Sequence, residues 1–208
     1  MVRCIVPFDV RDPNTRLSAV LDRRERSAFA LAMLRDVVAA IRETGHQPEL
    51  LATAPVECDL PVTVDARPLS VAINAILAET ETEIAVVMAD LPLATPEALE
   101  RLLASDEEVV IAPGIGGGTN ALVVRHPAFR VDYHDGSYRD HCEIARGCNA
   151  TLETVDSFRL ALDIDNPADL AEVLLHSDGH ATQWLQDAGF ELVDCEGRMT
   201  VVRTTSSG

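Results

Sequence analysis

Asp90 closes a run of apolar residues, Ile84-Ala85-Val86-Val87-Met88-Ala89, and is followed by Leu91-Pro92. An acid in that place reads as the last residue of a buried central strand. It would emerge at the carboxyl edge of the sheet, where open α/β folds bind ligands. Asp163 and Asp165 flank Ile164, and residues two apart face the same way in an extended chain. Between the two acidic stations lies Pro113-Gly114-Ile115-Gly116-Gly117-Gly118-Thr119-Asn120. Carboxylates are hard oxygen ligands and glycine lets backbone approach closely, so the set suggests a divalent cation and a phosphate. The glycines are not a dinucleotide fingerprint. The third position falls on Thr119, and a β-branched run follows instead of a helix. Thr119 and Asn120 add side-chain hydrogen-bonding groups to the loop.

The 208 residues carry a net charge of −17, and all seventeen basic residues are arginine. Without lysine there is no Schiff-base chemistry and no P-loop lysine, so arginine must meet any phosphate. So negative a surface also argues against nonspecific nucleic-acid binding. The acids are spread along the chain, which favours adaptation to a salt-accumulating cytoplasm over an acidic partner-binding tail. Five cysteines, at 4, 58, 142, 148 and 195, form no CxxC pair. The expectation is reduced thiols in a cytoplasmic protein, packed as small buried hydrophobes. No apolar run approaches the ~18 residues of a membrane span.

The elements that must hold the acids alternate. Val2–Phe8 reads as a strand and Asp9–Ser18 as a loop. A helix over about Asp22–Thr44 follows, with Phe29, Met33, Val37 and Ile41 on its buried face and Gly45 stopping it. Strands are expected at Pro48–Thr53, Val62–Val64, 84–90, Glu108–Ala112 and Thr119–Val124, with a short extended piece at Leu162–Asp165. Helices are expected at Leu69–Glu79, after Thr95-Pro96-Glu97, at Gly136–Arg146, from Asn166-Pro167 to about His176, and at Thr182–Ala188. Two strands near Phe190–Val193 and Met199–Val202 end the chain. This is an α/β fold with a mostly parallel central sheet flanked by helices, one domain over 1–203, and a frayed tail over 204–208.

Several segments occur in a telling order: Pro7 with Asn14-Thr15-Arg16-Leu17-Ser18, Met88-Ala89-Asp90-Leu91-Pro92, Gly116-Gly117-Gly118-Thr119-Asn120-Ala121-Leu122, His141-Cys142-x-Ile144-Ala145, and Asp163-Ile164-Asp165-x-Pro167-x-Asp169-Leu170. Together they resemble the 2-phospho-L-lactate guanylyltransferases of coenzyme F420 biosynthesis, a CofC-like family, over about residues 2 to 203. The resemblance implies a Rossmann-like nucleotidyltransferase of the nucleotide-diphospho-sugar transferase type, usually a homodimer. It implies transfer of GMP from GTP to 2-phospho-L-lactate with release of pyrophosphate. A related branch uses phosphoenolpyruvate.

What the resemblance implies for residues is specific. Asp90, Asp163 and Asp165 would hold Mg²⁺, with Asp90 and Arg16 as the catalytic pair. Arg16 and Arg11 would grip the triphosphate of GTP, while Thr53 and Ser70 would flank the guanine. Thr119, His134 and Ser137 would bind the acyl phosphate, with His141 orienting that segment or simply packed and hydrogen-bonded. Blander roles compete: Asp165 capping the helix at Pro167, and Ser137 as an N-cap. The chain departs from the family at Asp9 and Asn14, where lysines are common, and at Ser70, where asparagine is common. Those departures leave open a nucleotide-binding paralogue without catalysis. A guanylyltransferase acting on phosphoenolpyruvate or a molybdopterin-like phosphate stays open too.

Overall fold

The computed structural model describes residues 2–80 and 82–204. Seven strands form one sheet: β1 (Arg3–Phe8), β2 (Pro48–Ala52), β3 (Val62–Val64), β4 (Ile84–Val87), β5 (Val109–Pro113), β6 (Thr119–Val124) and β7 (Leu152–Thr154). Their spatial order is β3-β2-β1-β4-β6-β5-β7. All neighbours run parallel except β6, which is antiparallel to both β4 and β5. The exception has a local cause. Only residues 114–118 join β5 to β6, and so short a loop can return the chain only antiparallel. Helical crossovers after β1, β3, β4 and β6 cover both faces, which is why β4 and β6 are buried along their whole length, aliphatic throughout β4 and from Ala121 to Val124 in β6.

Helices α1 (Arg23–Glu43), α3 (Pro96–Leu103) and α5 (Phe158–Ala161) pack on one face through Leu34, Val37, Ile41, Leu99, Leu102 and Leu160. Helices α2 (Leu69–Glu79) and α4 (Ser137–Gly147) cover the other through Ile73, Cys142 and Ala145. A third core joins a 3₁₀ turn at Thr15–Ala19 to α6 (Leu170–His176), α7 (His180–Asp187) and the start of a two-stranded hairpin, β8 (Phe190–Cys195) with β9 (Arg198–Arg203). The single stripe expected on α1 is divided between cores. Val37 and Ile41 meet the sheet, while Phe29 and Met33 turn to α6 and α7. Asp22 and Glu25 close a capping box at the start of α1, a device worth about 0.5–2 kcal/mol.

Some expectations shift. Strand β4 stops at Val87, three residues before Asp90, although the Met88 N–H still donates to Asn120 O at 2.9 Å. Leu162–Asp165 is irregular and pairs with no strand. Strand β7 and helix α5 were not foreseen, because each is too short to show a period. Cys4 and Cys142 are buried as expected, whereas Cys58 and Cys195 are exposed, and all five thiols are free. Thr204, assigned to a frayed tail, donates both its N–H and its hydroxyl to Gly189 O. Residues 205–208 of that tail lie outside the described residues. Among the described residues no helix is long and apolar enough to cross a membrane.

Candidate active site

At the carboxyl ends of β1, β2 and β4 opens a cleft of about 260 Å³. Pro7, Phe8, Leu51 and Leu69 line it on the apolar side, and Asp9, Asn14, Thr53, Asp65, Arg67 and Asp90 on the polar side. The loop from Asp9 to Asn14 is fixed from several directions. Asp9 Oδ1 accepts the Thr53 hydroxyl at 2.7 Å and the Arg11 N–H at 3.0 Å, and Thr53 Oγ1 accepts the Val10 N–H at 3.0 Å. Arg26, buried in α1, donates to Asp12 Oδ1 at 2.5 Å and to Pro13 O at 3.2 Å. Arg23 holds Arg11 O at 3.0 Å. Asn14 sits in the left-handed region at φ 49° and donates its amide to Ile164 O at 3.2 Å. That bond ties the loop to the second acidic station.

The three acids come near one another. Asp90 Oδ1 is buried with no hydrogen-bond partner. Burial, reinforced by the charges of Asp163 and Asp165, pushes the Asp90 carboxyl up to about 7. Asp165 is also raised, by burial and then by Asp163, with Arg16 opposing. The main chain joins the stations directly, Ile164 N–H donating to Asp90 O at 3.0 Å. Asp163 accepts from the Asn120 amide at 3.1 Å, and Asp165 is ion-paired with Arg16. Among the described residues no three His, Cys, Asp or Glu side chains converge tightly enough to cage an ion unaided. The chemistry of the set still fits a cation that keeps waters and phosphate oxygens as ligands, since it offers an unpartnered buried carboxylate oxygen among mutually repelling acids.

Arg16 is thus beside the carboxylates, exposed and outside the cleft lining. Arg11 is exposed, with its backbone fixed. Thr53 lines the cleft, but its hydroxyl is engaged by Asp9. Ser70 follows Leu69 of the cleft wall, and its hydroxyl oxygen accepts the Tyr133 N–H at 2.7 Å. Asp65 and Arg67 are the missed cleft residues. Arg67 grips the Asp65 carboxylate from Nε and Nη2. The acid and cation two apart after β3 were the only signal, and such pairs are common on any surface.

The glycine loop is a different kind of structure. Gly114 N–H donates to Gly118 O and Gly117 N–H to Gly114 O, both at 2.9 Å, so the loop closes on itself. Gly117 holds φ +85°, a conformation L side chains avoid. Gly117 O accepts Tyr138 N–H at 3.1 Å, docking the loop onto the first turn of α4. Gly117 therefore serves this closure.

Thr119 and Ser137 are buried at 4% and 1% exposure, and neither they nor His134 lines the cleft. Ser137 is the first helical residue, not the N-cap, which is Gly136. His134 is exposed and turned to Asp140 Oδ2 at 2.6 Å. His141 is wholly buried, and desolvation pushes it down to about 4, so it is neutral. Its Nε2 accepts the Asp132 N–H at 2.9 Å. The one imidazole hydrogen is therefore on Nδ1 and is donated to Thr119 Oγ1 at 2.8 Å. Thr119 is left with its own hydroxyl hydrogen to give. Asp165 caps nothing: Asp169 Oδ2 accepts the N–H groups of Asp165 and Asn166.

Comparison with known proteins adds three findings. A family model described as guanylyl transferase CofC like matches residues 2–204. The 2-phospho-L-lactate guanylyltransferase of Halomicrobium mukohataei is 56% identical over 202 residues, covering 97% of this chain and 100% of its own. That of Haloarcula marismortui is 56% identical over 206 residues, covering 97% and 99%. Among solved structures, a proposed nucleotide-diphospho-sugar transferase from Desulfovibrio desulfuricans superimposes with a TM-score of 0.72 at 13% identity, covering 89% of this chain and 94% of that one. At that identity the likeness is one of fold.

Proposed function

The chain belongs to the CofC-like guanylyl transferases, and on that premise we propose that it joins GMP from GTP to the phosphate of 2-phospho-L-lactate. The products are lactyl-2-diphospho-5′-guanosine, the activated unit for building coenzyme F420, and pyrophosphate. A phosphate oxygen of phospholactate forms a bond to the α-phosphorus of GTP, and the bond from that phosphorus to the leaving pyrophosphate breaks. The attacking phosphate is ionised near neutral pH, so no general base is required. The carrying observation is Asp90, whose Oδ1 is buried without a partner where the nucleotide cleft meets the second acidic station.

The cleft lies just under the ~300–1,000 Å³ usual for small-ligand sites. That size suits a nucleoside, leaving the triphosphate to extend toward Asp90. Asp65 and Arg67 present polar groups to the base alongside Thr53. Arg16 exchanges its hold on Asp165 for the triphosphate, with Arg11 next to it on the same loop. Asp90 and Asp163, with Asp165 once Arg16 has left it, would hold Mg²⁺, which when bound draws charge from the α-phosphate and the leaving group. Thr119 gives its hydroxyl hydrogen to the acyl phosphate, and Ser137 adds a second hydroxyl. One domain over 1–203, a homodimer and adaptation to a saline cytoplasm complete the proposal.

The test is pyrophosphate release from GTP and Mg²⁺ in molar KCl, with 2-phospho-L-lactate or phosphoenolpyruvate supplied in turn. Release with phospholactate is expected. Release with phosphoenolpyruvate alone would reassign the substrate. GTP binding with no release from either would leave a nucleotide-binding paralogue.

A further inference from the structure

Asn120 is 5% exposed and uses both hydrogens of its amide: Nδ2 donates to Leu160 O at 3.0 Å and to Asp163 Oδ1 at 3.1 Å. Its Oδ1 lies against the glycine loop. A Cβ built on Gly114 would stand 2.6 Å from that oxygen, with the amide carbon and nitrogen each at 3.0 Å. The amide is therefore clamped on three sides. Flipping it would bury two acceptors facing each other and leave Leu160 O unpaired, a penalty of about 1–3 kcal/mol per group. Its backbone is fixed as well, because Asn120 O accepts the Met88 N–H at 2.9 Å, two residues before Asp90. A single residue thus touches the chain leading to one acid and the carboxylate of the other.

We propose that Asn120 is the positioning residue that aims the Asp163 carboxylate at the cation shared with Asp90, and that position 114 is glycine because only a missing side chain leaves room for that amide. The inference rests on the reading of Asp163 as a cation ligand. A hydrogen bond to one carboxylate oxygen fixes which oxygen is offered. Outer partners of this kind change metal affinity by roughly 10–100-fold when removed.

Mn²⁺ alone, titrated into the full chain and followed by electron paramagnetic resonance, tests it without reference to turnover. Asn120→Ala removes the donor; Gly114→Ala keeps the donor and displaces it. Both variants are expected to bind Mn²⁺ about tenfold or more weakly, and in an Asp163→Asn background Asn120→Ala is expected to cost nothing further. A residue that merely supports the fold would lower the melting temperature while leaving the Mn²⁺ affinity of the folded protein unchanged. That result in both variants would overturn the inference alone. If the unaltered chain binds no Mn²⁺, the reading of Asp163 falls first and the inference with it.

Discussion

Two loops face each other across the carboxyl edge of the sheet, and they are built on opposite principles. The loop from Asp9 to Asn14 is held from outside, by Thr53, Arg23, Arg26 and the Ile164 carbonyl. Its wall of the cleft is acidic. The loop from Gly114 to Gly118 closes through its own backbone bonds and docks on α4. Behind it both ring nitrogens of His141 are paired, and Thr119 keeps its own hydroxyl hydrogen to give. The difference teaches where each kind of recognition is set. The closed side is set before any ligand arrives, and on the proposed reading its preset donors meet the acyl phosphate without reorganisation. The open side leaves its charges to be balanced by ligand, cation and arginine together.

Asp90, between the two, should give the largest effect. Asp90→Asn is expected to cut turnover at least ~100-fold, the scale of losing one preorganised electrostatic contact, in the pyrophosphate assay. The same variant tests its burial. With the carboxyl raised to about 7, the native state holds a proton that the unfolded chain releases near the ordinary carboxylate value. The stability this gives is whole below about pH 4 and is lost as pH rises through 7. Asp90→Asn should therefore melt higher than the parent chain at pH 8, by several degrees, and show no such gain at pH 4. Retained turnover would erase the distinction between the sides.

Next come the two sides themselves. Thr119→Val is expected to raise the KM for phospholactate about tenfold and leave that for GTP unchanged, because it removes one donor to a charged phosphate. Arg16→Gln is expected to do the reverse, raising the KM for GTP by a similar factor. If both variants moved the same constant, the two loops would not divide the substrates. The smallest effect per group should come from salt. The Debye length shrinks from about 10 Å at 0.1 M to about 3 Å at 1 M, so the melting temperature should climb steadily with KCl given a net charge of −17. A flat curve would leave the absence of lysine unexplained.

The legible parts of this protein were those where a local pattern is enforced by a global need. Strand β4 and the Ala121–Val124 part of β6 must be aliphatic because both faces are covered, and α1 announces itself through Asp22, Glu25 and its apolar period. Asp90 was legible as an acid following such a strand, and Asp163 and Asp165 as a pair of acids two apart. The contact of Ser70 with the Tyr133 N–H was not legible, because a serine does not reveal which backbone N–H will meet it. Asp65 and Arg67 were missed because an exposed ion pair carries no pattern.

The amino-acid sequence by itself determined the α/β alternation, the reliance on arginine, and the family, since these depend on residue type and order. Only the tertiary structure decided that Arg16 rests on Asp165, that His141 is a neutral donor to Thr119, and that Gly114 makes room for Asn120. Each of those is a contact between residues 22 to 149 positions apart or a space fixed by backbone closure. Such contacts take their energy from burial and direction, which only the folded chain supplies.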